Sequence, residues 1–566
     1  MIARPSAPRP APWRLLLPPA ALIAALLAAA PLPAQRILGP GPDAVTIPRG
    51  TLRIALGADH TIQRDRWSDG TLQGLGAAFS GDAFGAERLS ILGPLQLAVR
   101  DLGVPDFTAS VGASRLDLRQ RIFVTPLSVE YGATEWLTLG VRGSLVRSKS
   151  EGAFRIRGDS GRATVGLNPL FVGSAVAGTN RATIDRYTAA SANLTARRAA
   201  CQSNPGAAPE CPTILAELTA VGALIAGTAQ FASGLTAVYG AAGLVGGRPY
   251  VPMAGSTGEL ALLARIDSLR TAFTRYGISD ITPSTGLPLG AQAPLGTADV
   301  ARLLADSTNG FGARSLDGTA ITGLGDVVVS AKVKLFDAFG RGSDARFSRD
   351  RGFGVRQSVG IEGRFGTGTP AAPGDLLDLG TGTGRDALTI RSSTDVVWSD
   401  RFWTTLDVAM TQEAASTELL RVPDAPGEAL LESWREAAVP VRHGRTLDAT
   451  IAPRWLVNDY LALGASWRWL RKWADRHAID ATVVGPDGSS YQLAGGDLDA
   501  TSAFDVQQVG WHATFSTLAA RVRGLDGLAL EFSYSHEQAI ASGSGIVPKT
   551  WVDRLQVRYY TRLFGR

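Results

Sequence analysis

The sequence predicts an all-β membrane protein, an antiparallel transmembrane β-barrel of about twelve strands that carries a helical insertion. Three observations lead there. Apolar and polar residues alternate with a period of two along many segments, as in 553–564, where Leu555, Val557, Tyr559, Thr561 and Leu563 oppose Gln556, Arg558, Tyr560 and Arg562. Successive strand side chains point to opposite faces, so such a segment offers one face to an apolar medium and the other to water or a polar filling. A secretion-signal pattern stands at the other end of the chain, and very short turns alternate with long loops between the strands.

The signal comes first in chain order. Arg4, Arg9 and Arg14 form a positive region, 15–30 an apolar stretch broken by Pro18 and Pro19, and Pro31-Leu-Pro-Ala34 a cleavage region before Gln35. An apolar run of about 16 residues is short against the roughly 20 that a spanning helix needs, so 1–34 is expected to be removed and 35–566 to form the barrel. Composition agrees. With 65 Gly, 19% charged and 45% hydrophobic residues, and a mean hydropathy of +0.07, the chain suits strands whose apolar residues are diluted by polar ones and excludes a helical-bundle membrane protein. The net charge of +5 includes the signal arginines, which leaves a mature chain close to neutral and no case for a nucleic-acid partner.

The strands come as hairpins. In 115–131, Leu116, Leu118, Ile122 and Val124 alternate with Arg115, Asp117, Arg119 and Arg121; after the turn 132–135, Leu137, Leu139, Val141 and Leu145 alternate with Thr138, Gly140, Arg142 and Ser144. A second hairpin turns at Ser399-Asp400-Arg401 and a third at Asn458-Asp459. Tyr131 with Trp136, Trp398 with Phe402, and Trp455 with Tyr460 bracket these turns, as an aromatic girdle at one membrane interface would. With the other candidates, the strands are 51–67, 107–131, 136–148, 326–336, 353–365, 387–398, 402–416, 445–457, 460–474, 504–518, 528–537 and 550–564. Two weak extra strands in 152–167 would make about fourteen and keep the number even. Starting from the periplasm, this order puts every short turn inside and returns the last strand to the periplasm.

The alternation stops over 152–322. Helix-like runs replace it at 182–200, 213–235, 258–276 and 297–305, the last with Thr297 as a plausible N-cap. Residues 218–246 carry no charge, yet a spanning helix does not fit inside an antiparallel wall. A helical element in the lumen or over the outer mouth is expected, starting on the outer face. Cys201 and Cys211 are expected to form a disulfide, because an exported chain meets an oxidising periplasm; no His stands near them to suggest a metal.

Charges concentrate on the phase read as inward. The pore-lining candidates are Arg119, Arg121, Arg142, Glu130, Lys332, Arg364, Arg391, Asp395, Asp407, Arg454, Arg468 and Arg558. Either they pair with one another and fill a narrow lumen, or their basic excess lines a path for anions or polar solutes. No catalytic arrangement stands out: Ser535-His536-Glu537 brings useful residue types together, but strand neighbours point to opposite faces. Gly380-Thr-Gly-Thr-Gly384 lacks the Lys of a phosphate-binding loop and reads as a flexible loop. No enzyme activity, cofactor or metal is expected.

The stretch from Gly323-Leu-Gly-Asp to Lys332-Val-Lys-Leu-Phe336, the loop 375–384 and Asp395-Val-Val resemble outer-membrane proteins of the meta-pathway phenol-degradation type and, more distantly, the fatty-acid-transporter type of hydrophobic-compound channel. The resemblance covers about 324–410. It implies a barrel that passes or binds small hydrophobic or aromatic compounds, with a plug-like element in the lumen and no catalytic residues to carry over. The expectation is therefore a channel or transporter in the bacterial outer membrane, for passive uptake of small solutes, hydrophobic or aromatic ones among them. Its expected partners are the membrane lipid, the solute and the barrel assembly machinery. A non-transporting surface barrel is the alternative, and an outer-membrane hydrolase a distant third.

Overall fold

The wall closes because the first and last strands meet. In this computed structural model, which describes residues 41–158, 161–170, 175–240, 248–281, 289–307, 311–314, 316–339, 353–423, 428, 430–485, 490–518 and 528–563, twelve strands form the barrel. They are β1 (Thr51–Ser68), β2 (Ala113–Gly132), β3 (Leu137–Arg157), β4 (Val327–Asp337), β5 (Gly354–Phe365), β6 (Ala387–Val397), β7 (Phe402–Glu413), β8 (Thr446–Leu456), β9 (Leu461–Lys472), β10 (Phe504–Ser516), β11 (Leu530–Ser544) and β12 (Ile546–Arg562). Each is antiparallel to the next, and β1 pairs with both β12 and β2. No wall strand is left with an unpaired edge, the condition for sheet in lipid. The proposed signal, 1–34, lies outside the described residues.

All twelve expected segments are wall strands, most with ends shifted by a few residues; β3 runs on to Arg157 and β11 to Ser544, well past the expected 148 and 537, and β2 begins at Ala113 rather than 107. Segment 152–167 adds none: 152–157 continue β3, and Val165–Leu167 pairs with Tyr250–Pro252 beyond the wall. Gly318–Leu324 pairs with the upper half of β3 just before β4 takes the lower half. One side of the barrel thus rises well above the rest.

Alternation sorts the side chains by medium. On β12, Leu555 is 60% exposed and Val557 39%, while their inward neighbours Arg558 and Tyr560 are 8% and 1%. Exposed Leu127, Val141, Ile361, Ile390, Val408 and Ile451 continue the belt around the wall, the outward apolar band of an outer-membrane barrel. Trp136, Trp398, Phe402 and Trp455 are exposed beside the short turns; Phe353 lies 5.7 Å from Trp398, and Tyr460 stacks on Phe515 at 6.2 Å. Aromatic rings with an apolar body and a polar edge favour that interface. This is an outer-membrane β-barrel.

A helical cap packs against the outer end of β2 and β3, its first helix contributed by the β1–β2 connection and the other helices by the insertion. Helices α1 (Gly93–Asp101), α2 (Ala175–Ser203), α3 (Cys211–Ala216), α4 (Leu218–Tyr239), α5 (Thr257–Thr274) and α6 (Thr297–Ala305) share one apolar cluster with Phe84, Leu89, Phe107 and the inner faces of β2 and β3 through Leu116, Phe154 and Ile156. Helix α4 is apolar and long enough to cross a membrane, but it packs against α2, with Phe231 edge-on to Tyr187 at 6.2 Å. The Cys201–Cys211 disulfide joins the end of α2 to the start of α3. The N-cap of α6 is Gly296 rather than Thr297. The Asp299 carboxylate accepts the Gly296 N–H at 2.9 Å, and the Thr297 hydroxyl accepts the Ile156 N–H at 3.2 Å, which ties the helix to β3 instead.

The belt makes a direct prediction. Val557→Arg puts a charge against lipid and is expected to lower the stability of the folded barrel by about 2 to 4 kcal/mol. Val484→Arg, on an exposed outer hairpin, is expected to change little. Urea titration of vesicle-inserted protein, followed by heat-modifiable migration, measures both.

Candidate functional site, the plugged barrel lumen

The chain enters its own barrel before building it. Residues 41–48 precede β1 and lie inside the wall, with Ala44, Thr46 and Ile47 buried. Polar groups from opposite sides of the lumen hold this segment. Arg454 donates to the Pro42 carbonyl at 3.0 Å, the Ala44 N–H donates to the Asp395 carboxylate at 3.3 Å, and the Ile47 N–H to the Thr138 hydroxyl at 2.8 Å. Lys332 pairs with Asp43 at 2.9 Å. Burial alone would raise the Asp43 carboxyl, but Lys332 and Arg53 hold it well below the usual carboxylate range. Since the folded value is depressed, the pair's contribution is complete above the unfolded value near 4 and is lost only in strong acid. Mild acid therefore leaves this pair intact.

Glycine makes room at the periplasmic end. A Cβ on Gly132 of β2 would lie 2.1 Å from the Pro48 carbonyl oxygen and 2.6 Å from that of Ile47, closer than any side chain tolerates, so the segment passes β2 only where a side chain is missing.

The wall around the segment is a lattice of ion pairs. Arg391 bridges Glu362, at 3.1 Å, and Asp407, which also accepts from Ser393 at 2.6 Å. Arg468 grips Asp448 with two bonds of 2.6 and 2.9 Å. Asp395 accepts from Thr405 at 2.7 Å and faces Arg356 at 3.5 Å. Arg554 bridges Asp59, at 3.3 Å, and Glu537, at 2.8 Å, while Arg53 pairs with Glu130. Arg558 stands 3.7 Å from Glu531 and Arg364 pairs with Glu413 near the outer end. Arg142 is held most loosely, 3.9 Å from Glu362 with its side chain 58% exposed to the lumen. Charges out of bulk water persist when paired and bonded in this way.

Two cavities remain beside the segment. The larger, about 490 Å³, is lined by six basic side chains, Arg53, Arg142, Lys332, Arg391, Arg554 and Arg558, against four acidic ones, Asp43, Asp59, Glu130 and Glu362. The smaller, about 190 Å³, lies between Pro42 and a wall that includes Arg391, Arg454, Arg468, Asp448 and His512. Both carry a basic excess.

Ten of the twelve expected residues thus place their side chains inside the barrel: Glu130, Arg142, Lys332, Arg364, Arg391, Asp395, Asp407, Arg454, Arg468 and Arg558. Arg119 and Arg121 do not. The β2–β3 ladder is continuous, so both share the outward phase of exposed Phe123, Leu127 and Val129. The rule that apolar residues face outward puts them inside, but the top of β2 stands above the lipid. There the inward face, Leu116 included, packs on the cap, and the outward face meets water.

Sequence reasoning also missed Arg53, Asp59, Glu537 and Arg554, whose inward phase on β1, β11 and β12 was legible, and Asp43, which precedes the first strand and carries no periodic signal. The loop 375–384 is not a free loop either. It folds into the mouth, where Ser150 donates to the Leu377 carbonyl at 2.6 Å and Asp326 accepts from the Gly368 N–H and the Thr383 N–H, both at 2.9 Å. Ser535 lines the larger cavity while His536 faces outward, 2.9 Å from Asp553, so the two do not act as a nucleophile and base.

Gly132→Ala is expected to displace residues 41–48 without unfolding the wall. Trypsin digestion of vesicle-inserted protein should then release the N-terminal peptide at least tenfold faster than in the parent, with heat-modifiable migration unchanged. Equal release rates would show that the close approach does not hold the segment.

No family model matches the chain, and no curated protein matches it. Solved structures that are similar to it include an outer membrane channel from Pseudomonas putida F1, 9% identical, with 93% of this chain and 100% of that one covered and a TM-score of 0.39. The toluene transporter TodX of Pseudomonas putida is 10% identical over 96% and 93%, TM-score 0.23, and the translocator domain of the autotransporter NalP from Neisseria meningitidis 8% over 95% and 92%, TM-score 0.25. Hydrophobic-compound channels, the kind the sequence resembles, are thus among the structures found, and so are protein translocators. What these neighbours share with the chain is the closed outer-membrane barrel.

Proposed function

We propose that the chain is an outer-membrane channel for passive uptake of small organic solutes, with residues 41–48 as its stopper and small aromatic carboxylates as its preferred class. The observation that carries this reading is the pair of cavities flanking the stopper inside a closed wall, both with a basic excess. The larger volume falls within the range of small-molecule sites. Carbon-lined walls suit neutral hydrocarbons, whereas arginines whose partners are shared, such as Arg391 and Arg554, can turn one donor to a passing carboxylate without being left bare. An aromatic acid is small enough for the cavity and carries the charge the lining favours. The ion-pair lattice also supports the second reading, a surface barrel whose lumen is simply filled.

Liposome uptake separates the two. Proteoliposomes of protein lacking residues 41–48 are expected to take up benzoate several-fold faster than benzylamine, its cationic counterpart of similar size, and faster than protein-free vesicles. Arg391→Ala in the same background, which leaves Asp407 without its arginine and Glu362 with only the loosely held Arg142, should cut the benzoate preference by roughly half or more. Uptake of neither solute by any form would favour the surface barrel.

A further inference from the structure

The outward face above the lipid belt carries cations in one sector. Arg119 and Arg121 on β2 lie across the ladder from Glu151 and Lys149 on β3, and Arg147 pairs with Phe123 one step below. Arg64 of β1 reaches the same patch, near enough to act on Arg119 electrostatically. Glu151 offsets part of this charge, 3.4 Å from Arg121 and 2.6 Å from Lys149. Asp117, next above Arg119 on the same face, is taken up by Arg115 at 2.9 Å, so five cations against Glu151 leave the patch basic. Arg64, Arg147 and Lys149 are exposed at the barrel surface and Arg119 and Arg121 partly so, and none is needed by the lumen.

Height fixes what they meet. From Trp136 in the periplasmic girdle to Arg147, at about 3.3 Å per residue and a strand tilt near 40°, the rise is roughly 28 Å, just above an apolar band about 25 Å tall. Directly below stand exposed Phe123, Leu127, Val141 and Leu145. A molecule with acyl chains against these residues would carry its headgroup at the height of the arginines. Guanidinium groups match phosphate geometry with paired donors, and clustered cations at a membrane surface attract anionic headgroups.

We propose that this sector of β1, β2 and β3 is a docking site for an outer-leaflet lipid with a phosphate-bearing anionic headgroup. Its chains lie on the belt and its phosphate sits among Arg64, Arg119, Arg121, Arg147 and Lys149. The bound lipid would anchor the tall side of the wall, on which the cap rests through Leu116, Phe154 and Ile156. This site is independent of what passes through the lumen.

Native mass spectrometry of the full chain released from detergent micelles tests it, with dioleoyl phosphatidic acid, dioleoyl phosphatidylcholine and dioleoylglycerol as probes. The parent protein is expected to retain phosphatidic acid at least tenfold better than the other two, with retention falling as salt rises. The variant R119Q/R121Q/R147Q/K149Q should lose that preference, while R155Q/R157Q, higher on β3, should keep it. Inorganic phosphate at the same concentration should not displace the lipid, since the belt holds the chains. Equal retention of the three lipids by the parent, full displacement by inorganic phosphate, or an unchanged preference in the folded quadruple variant would overturn the proposal. Heat-modifiable migration confirms folding, and if the variant fails to fold, the comparison of lipids on the parent still decides.

Discussion

Closure of the sheet is the constraint on which everything else rests. Lipid offers no partner to a backbone N–H or C=O, so the ladder between β1 and β12, running from Thr51 opposite Arg562 to Ser68 opposite Ile546, is what allows the wall to exist in a membrane. Once closed, the wall has only two faces, and each residue's position in the period of two decides its medium. The apolar belt, the aromatic girdle and the ion-pair lattice all follow from that single division.

Closure also creates a problem inside. Charged side chains kept from lipid must be satisfied within a narrow lumen, and the wall meets part of that need with strand-to-strand pairs such as Arg468 with Asp448. The rest is met by the chain's own leading segment: Pro42 and Ala44 supply a carbonyl and an N–H to Arg454 and Asp395, and Asp43 supplies a carboxylate to Lys332. A segment bound to polar walls through its backbone groups and the Asp43 carboxylate is held by several modest bonds rather than by one apolar core, each worth about 1 kcal/mol or a little more. Such a stopper can be firm in total and still separable from the wall, whereas the helical cap, which shares a continuous apolar cluster with β2 and β3, is part of the folded core.

Much of this was legible in the sequence because the membrane imposes a strict period. Val557 and Arg558 could be assigned to opposite faces without coordinates, and so could the short turns flanked by Trp398 and Phe402. Legibility failed where the medium changed along a strand. The outward face that carries Leu127 in lipid carries Arg119 and Arg121 in water, and the inward face that carries Glu130 in the lumen carries Leu116 under the cap, so the same polarity rule gives opposite answers at two heights. It failed again where no period exists. Asp43 and the loop 375–384 take their places through single long-range bonds, to Lys332 and Asp326, that no local pattern announces. The Cys201–Cys211 pair was readable from compartment, and so was a helical element that does not span the wall, but the packing of α4 against α2 was not, because a charge-free run has no polar face to orient it.

In the proposed channel, residues 41–48 and not the wall keep the lumen shut. Planar-bilayer recording of the purified protein with and without these residues tests it most directly. The intact protein is expected to be nearly silent and the truncated protein to open steady, anion-preferring conductances of uniform size. Equal conductance from the two forms, or silence from both in a correctly folded barrel, would contradict it.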